Sequence, residues 1–202
     1  MNCPEMVVGV DLDNTIVSYD SLFHRLALEQ GLIPSSFPAS KTEIRDHLRR
    51  VGKENAWTGL QGLAYGTRMN EAEFFPGVTD FFSECIRRKT RVHIISHRTR
   101  QPFLGPPCDL HDAALRWLKQ GGFGEWVSRG AVFLELTREA KLGRIMTTGC
   151  THFVDDLPEF LSAVDFPASV QRLLFDPCML HGAEIRFPRM ESWAAIHNKL
   201  FL

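Results

Sequence analysis

This chain has no bias toward one sign of charge. Lys and Arg number 23 against 24 Asp and Glu, the formal net charge is -1, and no long block of like charge interrupts it. The basic stripe of a nucleic-acid binder and the polybasic segment of a membrane-surface protein are both missing, so neither nucleic acid nor membrane is expected as a partner. No apolar run is long enough to span a bilayer, and the first residues show neither a basic nor an apolar leader region. Cysteine is sparse and odd in number: Cys3, Cys85, Cys108, Cys150 and Cys178 are widely scattered. That pattern argues against a disulfide framework and for a reducing, cytoplasmic setting. There is no internal repeat and no low-complexity segment.

What the chain does have is apolar material: 44% hydrophobic residues, 15 of its 202 residues being Phe. This is ample for the core of one domain, or of a domain with a modest insertion. Short β-branched or apolar runs at Val7–Val10, Arg91–Ser96, Ala131–Leu134, Thr151–Val154 and Gln171–Phe175 read as buried strands, with a sixth at Glu184–Phe187. Helical spacing separates them. Helices are expected from Asp20 or Ser21 to about Gln30, from Lys41 to about Val51 behind a Ser40–Glu43 capping box, and over Val78–Lys89 with an apolar stripe of Val78, Phe81, Phe82, Cys85 and Ile86. Further helices are expected over His111–Gln120, capped by Asp109, and over Thr137–Met146, Leu157–Val164 and Glu191–Leu200. The glycines at 59, 62 and 66 fit either a distorted helix approached closely by other backbone or an irregular segment. Strands alternating with helices predict an α/β fold: a Rossmann-like parallel sheet flanked by helices. Residues 1–17 and 76–202 would form that core, and residues 18–75, which contain no strand pattern, a small helical insertion.

Polar groups stand where these strands end. Asp11 and Asp13 follow the first run, Ser96 closes the second, and Asp155 with Asp156 follows the fourth; Lys141 lies early in the helix that precedes it. In an open parallel sheet, chemistry collects beyond the carboxyl ends of the strands. Two carboxylates at such an end can ligate a divalent cation, divide into nucleophile and general acid/base, or simply form a polar turn that stops the strand.

Taken together, Val10-Asp11-Leu12-Asp13-Asn14-Thr15-Ile16, His93-Ile94-Ile95-Ser96, Lys141 and Phe153-Val154-Asp155-Asp156 resemble, in order, the four motifs of the haloacid dehalogenase-like hydrolase superfamily. Phe75-Pro76-Gly77-Val78 resembles the stretch that precedes the second motif, and the insertion falls where that superfamily keeps its first type of cap. The similarity spans about residues 6 to 176. It implies a Mg²⁺-dependent phosphomonoesterase acting on a small soluble phosphate ester. Asp11 would be the nucleophile, Asp13 the general acid and then base, Ser96 a phosphate ligand, and Lys141 a partner of both Asp11 and phosphate. Arg138 and Arg144 are alternatives to Lys141. Asp11, Asp13 through its backbone carbonyl, Asp155 and Asp156 would hold the metal, Asp156 aligning best with the direct ligand and Asp155 with a supporting role.

An acid at position 13 favours a phosphatase over the superfamily's dehalogenases and P-type ATPases. One departure stands out: many relatives carry a further acid four residues after the metal aspartate, where this chain has Phe160, with Glu159 beside it. Asn14, Thr15, His97 and Arg98 are candidate substrate contacts, and Lys53, Trp57, Tyr65 and Arg68 are candidates in the insertion. Cys108-x-x-His111 and Cys178-x-x-His181 pose a zinc alternative without a paired-ligand spacing to support it. Two other readings remain beside the phosphatase: a phosphotransferase or mutase of similar build, and a ligand-binding homologue without turnover. Substrate identity and oligomeric state are not legible at this level.

Overall fold

A computed structural model of the chain describes residues 5–180 and 187–202. Its strands are β1 (Val7–Val10), β2 (Val17–Ser18), β3 (Glu73–Phe74), β4 (Arg91–His97), β5 (Val132–Glu135), β6 (His152–Asp155), β7 (Gln171–Phe175) and β8 (Arg189–Met190). Six of them form one sheet in the order β5-β4-β1-β6-β7-β8, and β2 pairs with β3. Every pairing in the six-stranded sheet is parallel. The expected α/β, Rossmann-like parallel sheet is therefore what the chain forms. All four residues of β1 are buried, as a strand covered on both faces requires. The expected strand at 184–187 falls largely outside the described residues, and the edge strand that is seen lies just beyond it, at Arg189–Met190.

The chain divides into two compact units: residues 1–17, 74–97 and 130–202, and residues 18–73 and 98–129. The sheet belongs to the first. On one face of the sheet, Phe81 and Phe82 of the helix Val78–Arg88 meet Trp193 of the helix Trp193–Phe201, with Phe175 of β7 alongside. Ile86, expected in that stripe, is instead 52% exposed. The other face is covered by the helices Arg138–Thr147 and Pro158–Leu161. Val7, Ile95, Phe153 and Leu174 pack there with Leu142, Ile145, Phe160, Leu161 and Phe166. Gly9 is needed on this face, because a Cβ at that position would lie 2.5 Å from Cδ2 of Phe153 and 2.8 Å from Sγ of Cys150.

The second unit is helical, built from Asp20–Glu29, Lys41–Arg50, Glu54–Gly62, Leu110–Leu118 and Gly124–Ser128. Ser40 accepts from the Glu43 N–H and Asp109 from the Asp112 N–H, so both expected caps form. Phe23 stacks on Trp57 at 4.9 Å between ring centroids, and Tyr19 and Tyr65 join them edge-on. The glycine-rich segment is a helix that passes into a π-turn at Leu63–Thr67 and kinks at Gly66. A Cβ on Gly62 would meet the Leu104 carbonyl oxygen at 2.0 Å, so this segment is one of close backbone approach.

The second unit takes in residues 98–129, which the sequence pattern had returned to the sheet domain. The helix Leu110–Leu118 buries Leu110, Ala113, Ala114, Trp117 and Leu118, and Trp117 donates to the Ala72 carbonyl at 3.0 Å. No helix among the described residues is long and apolar enough to cross a membrane. No disulfide joins the four described cysteines.

Candidate active site

The strand order places a topological switch beside β1. From β1 the chain runs outward through β4 and β5, then returns to lay β6, β7 and β8 on the other side. The crevice at such a switch, beyond the carboxyl ends of the strands, is where open α/β sheets bind ligands. Val10 pairs with Val154 of β6, and the Asp11 N–H continues the ladder by donating to the Val154 carbonyl at 2.9 Å. Asp11 and Asp155 thus end neighbouring strands on either side of the crevice.

Side-chain alternation sets the face on which they meet. Asp11 shares its parity with Val7 and Gly9, and Asp155 with Phe153, so both carboxylates fall on the side covered by the helix Arg138–Thr147. Thr137 caps that helix, its hydroxyl accepting from the Ala140 N–H at 3.1 Å. One turn in, Lys141 is buried and its Nζ donates to Oδ1 of Asp11 and to Oδ2 of Asp155, each at 2.6 Å. The other Asp155 oxygen accepts the Leu157 N–H at 2.9 Å. Asp11, Asp155 and Asp156 each offer a carboxylate oxygen within 4.8 Å of the others.

Burial governs the electrostatics. It pushes the Asp11 carboxyl up, to about 7; Lys141 pulls it back, while Asp155 and then Asp13 add to the rise. For Lys141, burial disfavours the ammonium, but Asp11 and Asp155 outweigh it and raise its pKa above the usual lysine range. The site thus holds a cation beside a buried carboxylate whose charge is costly without further positive charge.

Other expected residues separate into those at this rim and those elsewhere. Ser96 is buried one residue before the end of β4, the strand adjacent to β1. Asn14 takes a left-handed conformation, φ 59°. Thr15 is buried; its carbonyl accepts from Trp193 Nε1 at 3.0 Å, and its hydroxyl has no hydrogen-bond partner among the described residues. His97 is exposed, with its Nε2 3.1 Å from the Leu136 carbonyl oxygen. Arg98 belongs to the second unit, where it is buried and donates to the Tyr19 hydroxyl and the Leu110 carbonyl.

The carboxylate cluster takes in Asp11, Asp155 and Asp156 but not the Asp13 side chain or Glu159, which is exposed. Arg138, one alternative to Lys141, reaches the Glu159 carbonyl, and Arg144 pairs with Glu135. Of the insertion candidates, Trp57 is a core residue and Arg68 is engaged by Glu29 and Glu71. His111 of the first Cys-x-x-His pair meets the Arg98 carbonyl through Nε2 at 2.8 Å. His181 of the second lies outside the described residues.

Sequence reasoning missed two features. Asp176, buried just past β7, takes the Leu180 N–H at 2.9 Å and so holds a turn; an acid directly after a strand was the available signal. The Phe160 ring lies 4.2 Å from Lys141 Nζ, and nothing in the local sequence indicates that contact.

No protein-family model and no curated protein matches this sequence. Solved structures do. A HAD family hydrolase from Deinococcus radiodurans with bound phosphate and sodium aligns at TM-score 0.57 and 14% identity, over 98% of this chain and 96% of that one. A predicted phosphatase from Clostridium acetobutylicum aligns at 0.58 and 11%, over 97% and 98%. The HAD-hydrolase YfnB from Bacillus subtilis bound to magnesium aligns at 0.54 and 11%, over 98% and 99%. At these identities the likeness is one of architecture, and the chain has the fold of the haloacid dehalogenase (HAD) superfamily hydrolases.

Proposed function

We propose that this protein is a Mg²⁺-dependent phosphomonoesterase of the HAD type, cytoplasmic, acting on a small soluble phosphorylated metabolite through an aspartyl-phosphate. The reading rests on one observation: Asp11 sits at the switch-point crevice within a cluster of three carboxylates, bridged by a buried ammonium. The donor set fits the metal in kind, since clustered hard anionic oxygens are what Mg²⁺ takes, with water completing its shell. Asp11 and Asp156 would hold it directly. Asp155, with one oxygen on Lys141 and the other on the Leu157 N–H, would support them. When bound, such an ion neutralises charge between nucleophile and phosphate. The magnesium and the phosphate described for two of the structural neighbours support this choice of ion and substrate class.

The residues then divide the work. An Asp11 oxygen attacks phosphorus as the ester P–O bond breaks, and Asp13 gives its proton to the departing alkoxide. Asp13, now ionised, takes a proton from water; that water attacks phosphorus, breaks the bond to Asp11 and releases phosphate. Lys141 keeps Asp11 oriented and offers charge to the phosphoryl oxygens, and Ser96 supplies a hydroxyl donor. Asn14, Thr15 and His97 would add substrate contacts from the sheet unit.

A panel of phosphorylated metabolites, assayed for phosphate release with and without Mg²⁺, tests the reading. Release that needs Mg²⁺ and disappears in Asp11→Asn is expected. Release that persists in Asp11→Asn, or tight ligand binding with no release across the panel, would overturn it. Transfer of phosphate to a second hydroxyl with little free phosphate would identify a mutase instead.

A further inference from the structure

Asp11 and Asp155 converge on the Lys141 side chain, and ion pairs alone do not fix it. An ammonium on a four-carbon stem is a compact charge with freely rotating donors, so two carboxylates 2.6 Å away leave its approach direction open. The structure closes that freedom from the apolar side. The Phe160 ring centroid lies 4.2 Å from Nζ, and Phe153 lies 5.4 Å away. Both rings and the lysine are buried, so the ring quadrupole acts on the charge with little screening by water. Phe160 is itself fixed in the core: it meets Phe166 edge-on at 5.8 Å and Phe153 at 6.0 Å. The core below the sheet thus ends in an aromatic face directly under the cation. The Arg138 guanidinium lies 5.6 Å from the same ring, but it is tied to the exposed Glu159 carbonyl.

We propose that Phe160 is a positioning residue, its ring face holding the Lys141 ammonium where it bridges Asp11 and Asp155. The catalytic part of this inference rests on the reading of Asp11 as nucleophile; the contact itself does not. Removing the ring's negative face while keeping its shape would let Nζ drift from the bridging point. Asp11 would lose orientation, so kcat falls, and KM changes less than kcat.

The test is a fluorination series. Phe160 is replaced by mono-, di- and trifluorophenylalanine, which progressively cancel the quadrupole at nearly constant volume, with the same series at Phe81, a core ring packed against Phe82 and Trp193, as a packing control. Log kcat should fall stepwise with fluorine number at position 160, by roughly tenfold over the series, with KM changing less and no such trend at 81. The melting temperature should fall in parallel. That slope should persist in Arg138→Gln and vanish in Lys141→Met. If Lys141→Met does not fold, the position 160 and 81 series in otherwise wild-type protein still decide the matter. A flat series at 160, or equal slopes at 160 and 81, overturns the proposal. Should the wild-type protein release no phosphate from any ester, the phosphatase reading fails, while the melting series still reads the Lys141–Phe160 contact by itself.

Discussion

Asp11 is held against its own solvation. Burial raises its pKa to about 7, well above the ordinary carboxyl value of 3.8, and Lys141 offsets only part of that. Between those two values the folded protein binds more protons than the unfolded chain, so this residue makes stability fall as pH rises from about 4 to 7 and holds the loss above 7. Asp11→Asn removes the cost. In metal-free buffer at pH 8 the variant should melt higher than the wild type, with the gap closing toward pH 4; equal melting at pH 8 would contradict the assignment. A divalent cation competes with the same proton, so Mg²⁺ should stabilise the wild type more as pH rises through about 7 and should stabilise Asp11→Asn far less. Lys141→Met should lower kcat by roughly 10³-fold, the scale of losing a preorganised charge in a dry site, and should not be rescued by raising the Mg²⁺ concentration.

At the scale of elements, two contacts bring the groups together. β1 can lie beside Phe153 of β6 only because Gly9 has no side chain. Gly9→Ala should cost about 1–3 kcal/mol in a denaturant titration, as overpacking does. It should also depress turnover, because the displaced ring is one of the two beneath Lys141. The helix carrying Lys141 starts where Thr137 accepts the Ala140 N–H. Thr137→Ala should cost about 1 kcal/mol, with kcat affected more than KM. A Thr137→Ser variant keeps the cap and should behave as wild type in both measurements.

At the scale of the molecule, acid should act through His93 and His152, on the strands that flank β1. Burial lowers both pKa values first, Arg91 adding for His93 and Lys199 for His152, where a Gln171 hydrogen bond opposes. The unfolded chain then takes up protons near the ordinary value of 6.5 before the folded protein does, so these two residues make stability fall as pH drops below about 6.5, against the opposite slope of Asp11. His93→Phe, whose ring would sit beside Phe133, should flatten part of that fall in thermal melts between pH 7 and 5. The alternation of buried runs with helical spacing, the caps at Ser40 and Asp109, and the acids at strand ends were all legible in the chain itself, because each depends on neighbours within a few residues. Asp11, Ser96 and Asp155-Asp156 lie at or next to strand ends that local patterning marks, whereas Lys141, inside its helix with Arg138 and Arg144 beside it, was singled out by the resemblance alone. What the chain could not state was partnership. The apolar stripe of the helix Leu110–Leu118 does not say what it will cover, so its place in the second unit, like the exposure of Ile86, was decided by packing. The Phe160 ring beneath Lys141 is of the same kind: its residue sits 19 positions along the chain, and only the closing of the helix Pro158–Leu161 onto the sheet brings aromatic face and ammonium together.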